Sequence, residues 1–192
     1  MQQSGLTRVA NLLKMIQIVL MGMLLVAAVS ARADGQLSSS AIASSSVEAG
    51  LPLADSVIVR KSARVLELLK NGQVLRSYKV ALGLRPEGHK QFEGDFRTPE
   101  GKYLLTRRNP NSEYFLSIQV SYPNDQDVAR ARRQGMSPGG AIMIHGQPNT
   151  PKKPRDYYST IDWTEGCIAV SNSDMVEIWL MTAPDTPIEI QP

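Results

Sequence analysis

The 192-residue chain carries a single cysteine, Cys167, and only two histidines, His89 and His145. No disulfide can therefore close within it, and the one thiol needs a different explanation. There is no acidic residue before Asp34, no internal repeat, and no uninterrupted apolar run that reaches the roughly 20 residues needed to span a bilayer. Arg8, Lys14 and Arg32 account for the whole formal charge of +3, so the remainder of the chain is neutral and nothing in it argues for nucleic acid.

What is present begins with an export signature. Arg8 and Lys14 precede an uncharged stretch from Met15 to Ser30, and Ala31-Arg32-Ala33 supplies the small residues a signal peptidase requires. Residues 1–33 read as a signal peptide cut before Asp34, which places the protein in the periplasm or cell envelope with no stable membrane span after cleavage. The competing reading is a retained membrane anchor. Residues 34–54 form a flexible Ser-rich tether, because Gly35 to Gly50 has six serines among small residues and too little apolar surface to offset the entropy of ordering. Residues 55–192 are long enough for one domain with its own core.

Within that domain the pattern is of short β-like runs: Val57 to Arg60, Arg64 to Leu69 and Gln73 to Ala81, the last two joined by Asn71-Gly72, a strong hairpin signal. Gly83 to Pro99 is a long connection rich in Gly, Pro and charge. Strands resume at Lys102 to Thr106 and Phe115 to Tyr122, a short polar helix is expected from Asp125 to Gln134, and Ala141 to His145 is an apolar strand ending in an imidazole. The polar, Pro-rich segment that follows Gly146 and runs to Asp162 has the length of a functional loop and reads as a lid. Cys167 to Val170 is a buried strand, Ser171 to Thr182 an amphipathic helix with Ser171 or Ser173 near its N-cap, and Ile188 to Ile190 a closing strand. The sum is a mostly β domain with two short helices.

A lone exported cysteine is buried and inert, linked to a second chain, or kept for reactivity. Cys167 follows Gly166, which lets the backbone turn sharply, and it opens a strand. A thiol becomes a nucleophile beside a base, with a backbone donor to hold the oxyanion formed on an attacked carbonyl. His145 is the favoured base because it closes a rigid strand and is followed by Gly146. His89 sits in the charged loop Glu87 to Lys90 and reads as a solvated residue.

IMIHG at Ile142 to Gly146, TEGCIAVSN at Thr164 to Asn172 and RTPEGKY at Arg97 to Tyr103 together resemble the active-site signature of the L,D-transpeptidase (YkuD) family, closest to its YafK-type subgroup. The resemblance covers about Ser56 to Pro192. It implies a single YkuD-like β-sandwich domain and acyl transfer on peptidoglycan stem peptides through a Cys167 thioester, with no metal or organic cofactor. It further implies that His145 takes the thiol proton and that the Gly166 and Cys167 backbone borders the oxyanion site. A second stem, an envelope lipoprotein lysine or water would resolve the thioester, and the subgroup makes hydrolysis of a peptidoglycan-linked L,D bond an alternative outcome. Gly146, Thr164, Glu165, Trp163 and Tyr158 are the expected substrate-binding residues.

Two positions depart from the family: Glu165 stands where histidine is usual and Ala169 where arginine is usual, so one imidazole and one guanidinium are missing. Glu165 reads either as a solvated turn residue or as an electrostatic neighbour of the imidazole, Trp163 and the Tyr157-Tyr158 pair either as a sugar- or peptide-packing surface or as loop core, and Asn172 as a cap of the helix that follows. A sortase-like site is disfavoured because no Arg or Lys follows Arg155, and a papain-like one because no His follows Cys167. The remaining alternative is a catalytically degenerate wall-binding module of the same fold, which a thiol titrating at or above the free value would favour.

Overall fold

The computed structural model describes residues 50–192, so the expected signal peptide and most of the tether lie outside the described residues. The elements run β1 Ser56–Arg60, β2 Val65–Lys70, β3 Gln73–Lys79, β4 Gly101–Ser112, β5 Phe115–Val120, α1 Asp125–Arg133, β6 Met143–His145, α2 Tyr157–Thr160, β7 Ile168–Ala169, α3 Asn172–Met181 and β8 Pro187–Gln191. The β2–β3 hairpin turns on Asn71 and Gly72 with φ of 52° and 76°, the doubly positive geometry that this dipeptide tolerates. Helix α1 starts on a capping box between Asn124 and Asp127. Ser171 caps α3 by accepting from the Asp174 amide.

The eight strands form one sheet in the order β3-β2-β1-β8-β4-β5-β6-β7. Long β4 is the bend: Gly101 to Leu104 pair with β8, whereas Leu105 onward pairs with β5 through two register shifts. The two edges then meet. Ala81, just past β3, exchanges two 2.8 Å backbone bonds with Ala169 of β7, and Leu82 accepts from the Thr164 amide at 3.0 Å. The folded-over sheet is thus the sandwich-like, mostly β architecture expected from the sequence, with one short helix more than the pattern indicated.

One contiguous core holds it shut. Leu66, Leu68, Leu105, Ile118, Ile144, Ile168, Met175, Ile178, Met181, Ile188 and Ile190 are fully buried. Each side chain of this size stabilises the fold by about 1.5–3 kcal/mol through area removed from water. Among the described residues no helix is long and apolar enough to cross a membrane.

The connection from Gly83 to Pro99 is pinned rather than loose. Lys61 donates from Nζ to the Gly88 and Thr98 carbonyls and to Glu100 at 2.6, 3.0 and 2.8 Å. His89 is not the solvated residue its sequence context suggested: its Nδ1 accepts from the Glu100 amide at 2.9 Å, and its Nε2 faces Asp127 Oδ1 at 3.0 Å and the Arg130 guanidinium. Burial, with the Arg130 charge, holds the His89 imidazole below its ordinary range.

Candidate active site

Strand pairing decides which side chains can meet. Parallel β6 and β7 pair Ile144 with Ile168 and His145 with Ala169, and antiparallel β5 pairs Ser117 with His145. Side chains alternate along strands, so Ile144 and Ile168 enter the core while Met143, His145, Ser117 and, one residue before β7, Cys167 share the opposite face. That face walls a cavity of about 660 Å³. His145 and Cys167 both line it, together with Tyr114, Trp163, Thr164, Glu165 and Lys90.

The imidazole is fixed from three sides. Its Nδ1 lies 2.7 Å from the Gly146 carbonyl, which can only accept, so Nδ1 carries the proton and Nε2 keeps its lone pair. The Tyr114 and Trp163 rings flank it at centroid distances of 4.6 and 5.6 Å. The residue is 4% exposed, and that burial pushes its pKa down to about 4, with the Gly146 bond opposing. A neutral ring at physiological pH is what a general base needs.

Cys167 is neither entombed nor a free thiolate. Its Sγ lies 3.5 Å from the Ala141 carbonyl, and no hydrogen bond joins it to the imidazole. Burial pushes the thiol up, the Met143 backbone amide and the Lys90 charge pull it down, and Glu165 opposes them. The resting pair is therefore a neutral thiol beside a neutral imidazole, where an activated pair would have titrated well below the free thiol; desolvation of the sulfur is the reason.

The turn into Cys167 is built around Gly166, at φ +134°, where an added Cβ would lie 2.7 Å from the Arg97 carbonyl oxygen and 3.2 Å from Ile142 Cδ1. No other residue fits that path. Thr164 spans the turn: its buried hydroxyl accepts from the Gly166 amide at 3.1 Å and donates to the Cys167 carbonyl at 2.7 Å. The Gly166 amide is consequently occupied, which leaves the Cys167 amide as the candidate oxyanion donor of the two.

The other expected binding residues divide. Trp163 and Glu165 line the cavity, Glu165 exposed at its mouth. Gly146 does not line it; it packs on Asn172 and Phe115, and its contribution is the carbonyl that orients His145. Tyr158 is likewise outside the lining. Its hydroxyl accepts from the Lys152 and Lys153 amides at 2.9 and 3.1 Å and its carbonyl from Trp163 Nε1, so it is the hub of the lid's own packing. Asn172 does not cap α3, a task Ser171 performs; its Oδ1 accepts from the Gln147 amide at 2.7 Å and tethers the segment after His145.

Tyr114, Ser117 and Lys90 were not singled out from the sequence. Ser117 was recoverable in principle, since it falls opposite His145 once β5 and β6 are paired, but that register is invisible to a linear reading. No cluster of three His, Cys, Asp or Glu side chains placed to hold a metal occurs among the described residues.

The family model of the L,D-transpeptidase catalytic domain (YkuD) matches residues 54–190. YafK of Escherichia coli (strain K12), provisionally named an L,D-transpeptidase, is 34% identical over 125 residues, covering 62% of this chain and 43% of that protein. The crystal structure of the helical cell shape determining protein Pgp2 from Campylobacter jejuni superposes with a TM-score of 0.54 at 28% identity, covering 70% of this chain and 46% of that one. The chain spans less than half the length of either relative.

Proposed function

The chain belongs to the L,D-transpeptidase catalytic domain family, and from that premise we propose that it is an exported cysteine acyltransferase acting on peptidoglycan stem peptides in the cell envelope. The observation that carries this reading is the shared face: Cys167, one residue before β7, and His145, at the end of neighbouring β6, line one cavity, with Nε2 left as an acceptor.

In the reaction, His145 Nε2 takes the proton from Cys167 Sγ as the sulfur bonds to the carbonyl carbon of an L-centre joined to D-alanine. The Cys167 amide holds the oxyanion. Collapse expels the D-alanine amine, which leaves with the proton from the imidazolium, and a thioester remains. An incoming amine or water then gives its proton to Nε2, attacks the thioester and releases Cys167. Because sulfur and imidazole are both neutral at rest, proton transfer accompanies attack, and substrate binding brings the two groups into contact. Wall remodelling that affects cell shape is the role this activity would serve.

The test is incubation of the mature protein with tetrapeptide-containing muropeptides, read by mass spectrometry. Cross-linked, exchanged or cleaved stems that vanish in Cys167→Ala are expected. A catalytically degenerate wall-binding module is the second reading, favoured by the raised thiol and the missing sulfur–imidazole bond. Retained peptidoglycan binding with no product, and no acylation of Cys167 by a carbapenem, would establish the module instead.

A further inference from the structure

Ala169 offers no charge where the family usually has a guanidinium, yet the cavity is not without a cation. Lys90, from the pinned connection, lines its wall at 4% exposure, while the acidic lining residues Glu93, Glu113 and Glu165 are all exposed at the mouth. Exposed carboxylates are screened by solvent and salt; a buried ammonium is screened far less.

Lys90 is also rigid. Its Nζ donates to Asp95 Oδ1 at 2.8 Å, and Asp95, 6% exposed, is itself held by the Gln91, Phe92 and Arg97 amides at 2.7, 3.4 and 3.1 Å. Four donors thus share the Asp95 charge. The ammonium has three donors and uses one of them on Asp95, which is its partner among the described residues.

We propose that Lys90 is the specificity-determining cation of the site, binding a free carboxylate of the acyl-donor peptide in the cavity that holds Cys167. The proposal rests on the acyl-transfer reading for the identity of the peptide, and on the placement of Lys90 alone for the anion preference. The carboxylate accepts the hydrogens that Asp95 leaves unused.

The experiment compares alkylation of Cys167 by iodoacetate and by iodoacetamide in the full chain, each forming an S–C bond with loss of iodide. The ratio of the two rates is referred to that of a free cysteine peptide in the same buffer. Wild type should favour the anionic reagent relative to the peptide, Lys90→Arg should keep the preference, and Lys90→Met should lower the ratio by about tenfold, the loss expected for one charge-assisted hydrogen bond. An unchanged ratio in Lys90→Met overturns the proposal. Lys90→Met leaves Asp95 buried without its cation, so Lys90→Met/Asp95→Asn, checked by thermal unfolding, repeats the comparison in a neutral background. If neither reagent reaches the sulfur, the same variants are titrated with a stem tetrapeptide and its C-terminal amide, and equal affinities for the two in wild type overturn it. Because neither readout needs turnover, absence of muropeptide products would not affect this result, and an unchanged ratio would leave acyl transfer standing.

Discussion

Acidification should destabilise the domain through His145 in a pH window set by its burial. In the unfolded chain this imidazole titrates at its ordinary value of about 6.5, whereas burial between Tyr114 and Trp163 pushes it down to about 4 in the fold. Above 6.5 both states are neutral and the group contributes nothing to the pH dependence. Between 6.5 and 4 the unfolded chain binds a proton that the folded one refuses, so stability falls as pH falls; below about 4 both are protonated and the effect saturates. A displacement of that size corresponds to about 3 kcal/mol at full development. The assay is urea unfolding from pH 7.5 to 3.5 on wild type and His145→Gln, taking the difference curve so that carboxylates common to both cancel. His89 titrates downward for its own reasons, so the measurement is repeated in a His89→Gln background. Imidazole NMR reads the same quantity directly. Parallel stability curves for wild type and His145→Gln, or a His145 resonance titrating near 6.5, would refute the inference that burial keeps this imidazole neutral.

Trp163→Ala removes one wall of the imidazole and exposes it, so the His145 titration should move upward toward 6.5, measured by the same NMR experiment. Gly166→Ala forces a side chain into a Gly-only backbone region against the Arg97 carbonyl; a loss of about 2 kcal/mol, or roughly 5–10 °C in Tm, is expected by calorimetry, with Cys167 reactivity falling further than stability. Asp162→Ala frees Arg64 from its two-pronged pair and leaves the Leu82 amide without its side-chain acceptor, so the end of the lid should loosen at a cost of about 1–3 kcal/mol, seen as faster amide exchange around Leu82 and Thr164. Asn172→Ala should leave α3 intact, because Ser171 caps it, and instead raise exchange at Gln147.

Strands were legible wherever side-chain alternation and turn chemistry coincide, as at Asn71-Gly72 or the apolar run into His145, because those signals are local. The reach of β4 to Ser112 was not, since Arg107 to Asn111 is polar and is held by pairing with β5 rather than by its own pattern. Helix α2 in the lid was missed for the opposite reason: four residues carry no period, and its order comes from the Tyr158 hub. At the site, Cys167 and His145 announced themselves by scarcity and by the glycines beside them. Lys90 was hidden because a lysine in a charged loop looks solvated, and only the buried Asp95 reveals otherwise.

The closure of the sheet explains why such distant segments converge. Cys167 sits one residue before β7, the strand that seals against Ala81 at the opposite edge, so the turn bearing the thiol is clamped on one side by β6 and on the other by Ala81 and Leu82. The Arg97 carbonyl against Gly166 adds a third support from the connection that carries Lys90. With the backbone of this turn supported on three sides, movement of Sγ relative to the imidazole is left to the Cys167 side chain. Trp163 Nε1 donates to the Tyr158 carbonyl at 3.2 Å while its ring centroid lies 5.6 Å from that of His145, so one side chain connects the Tyr158 packing to the imidazole.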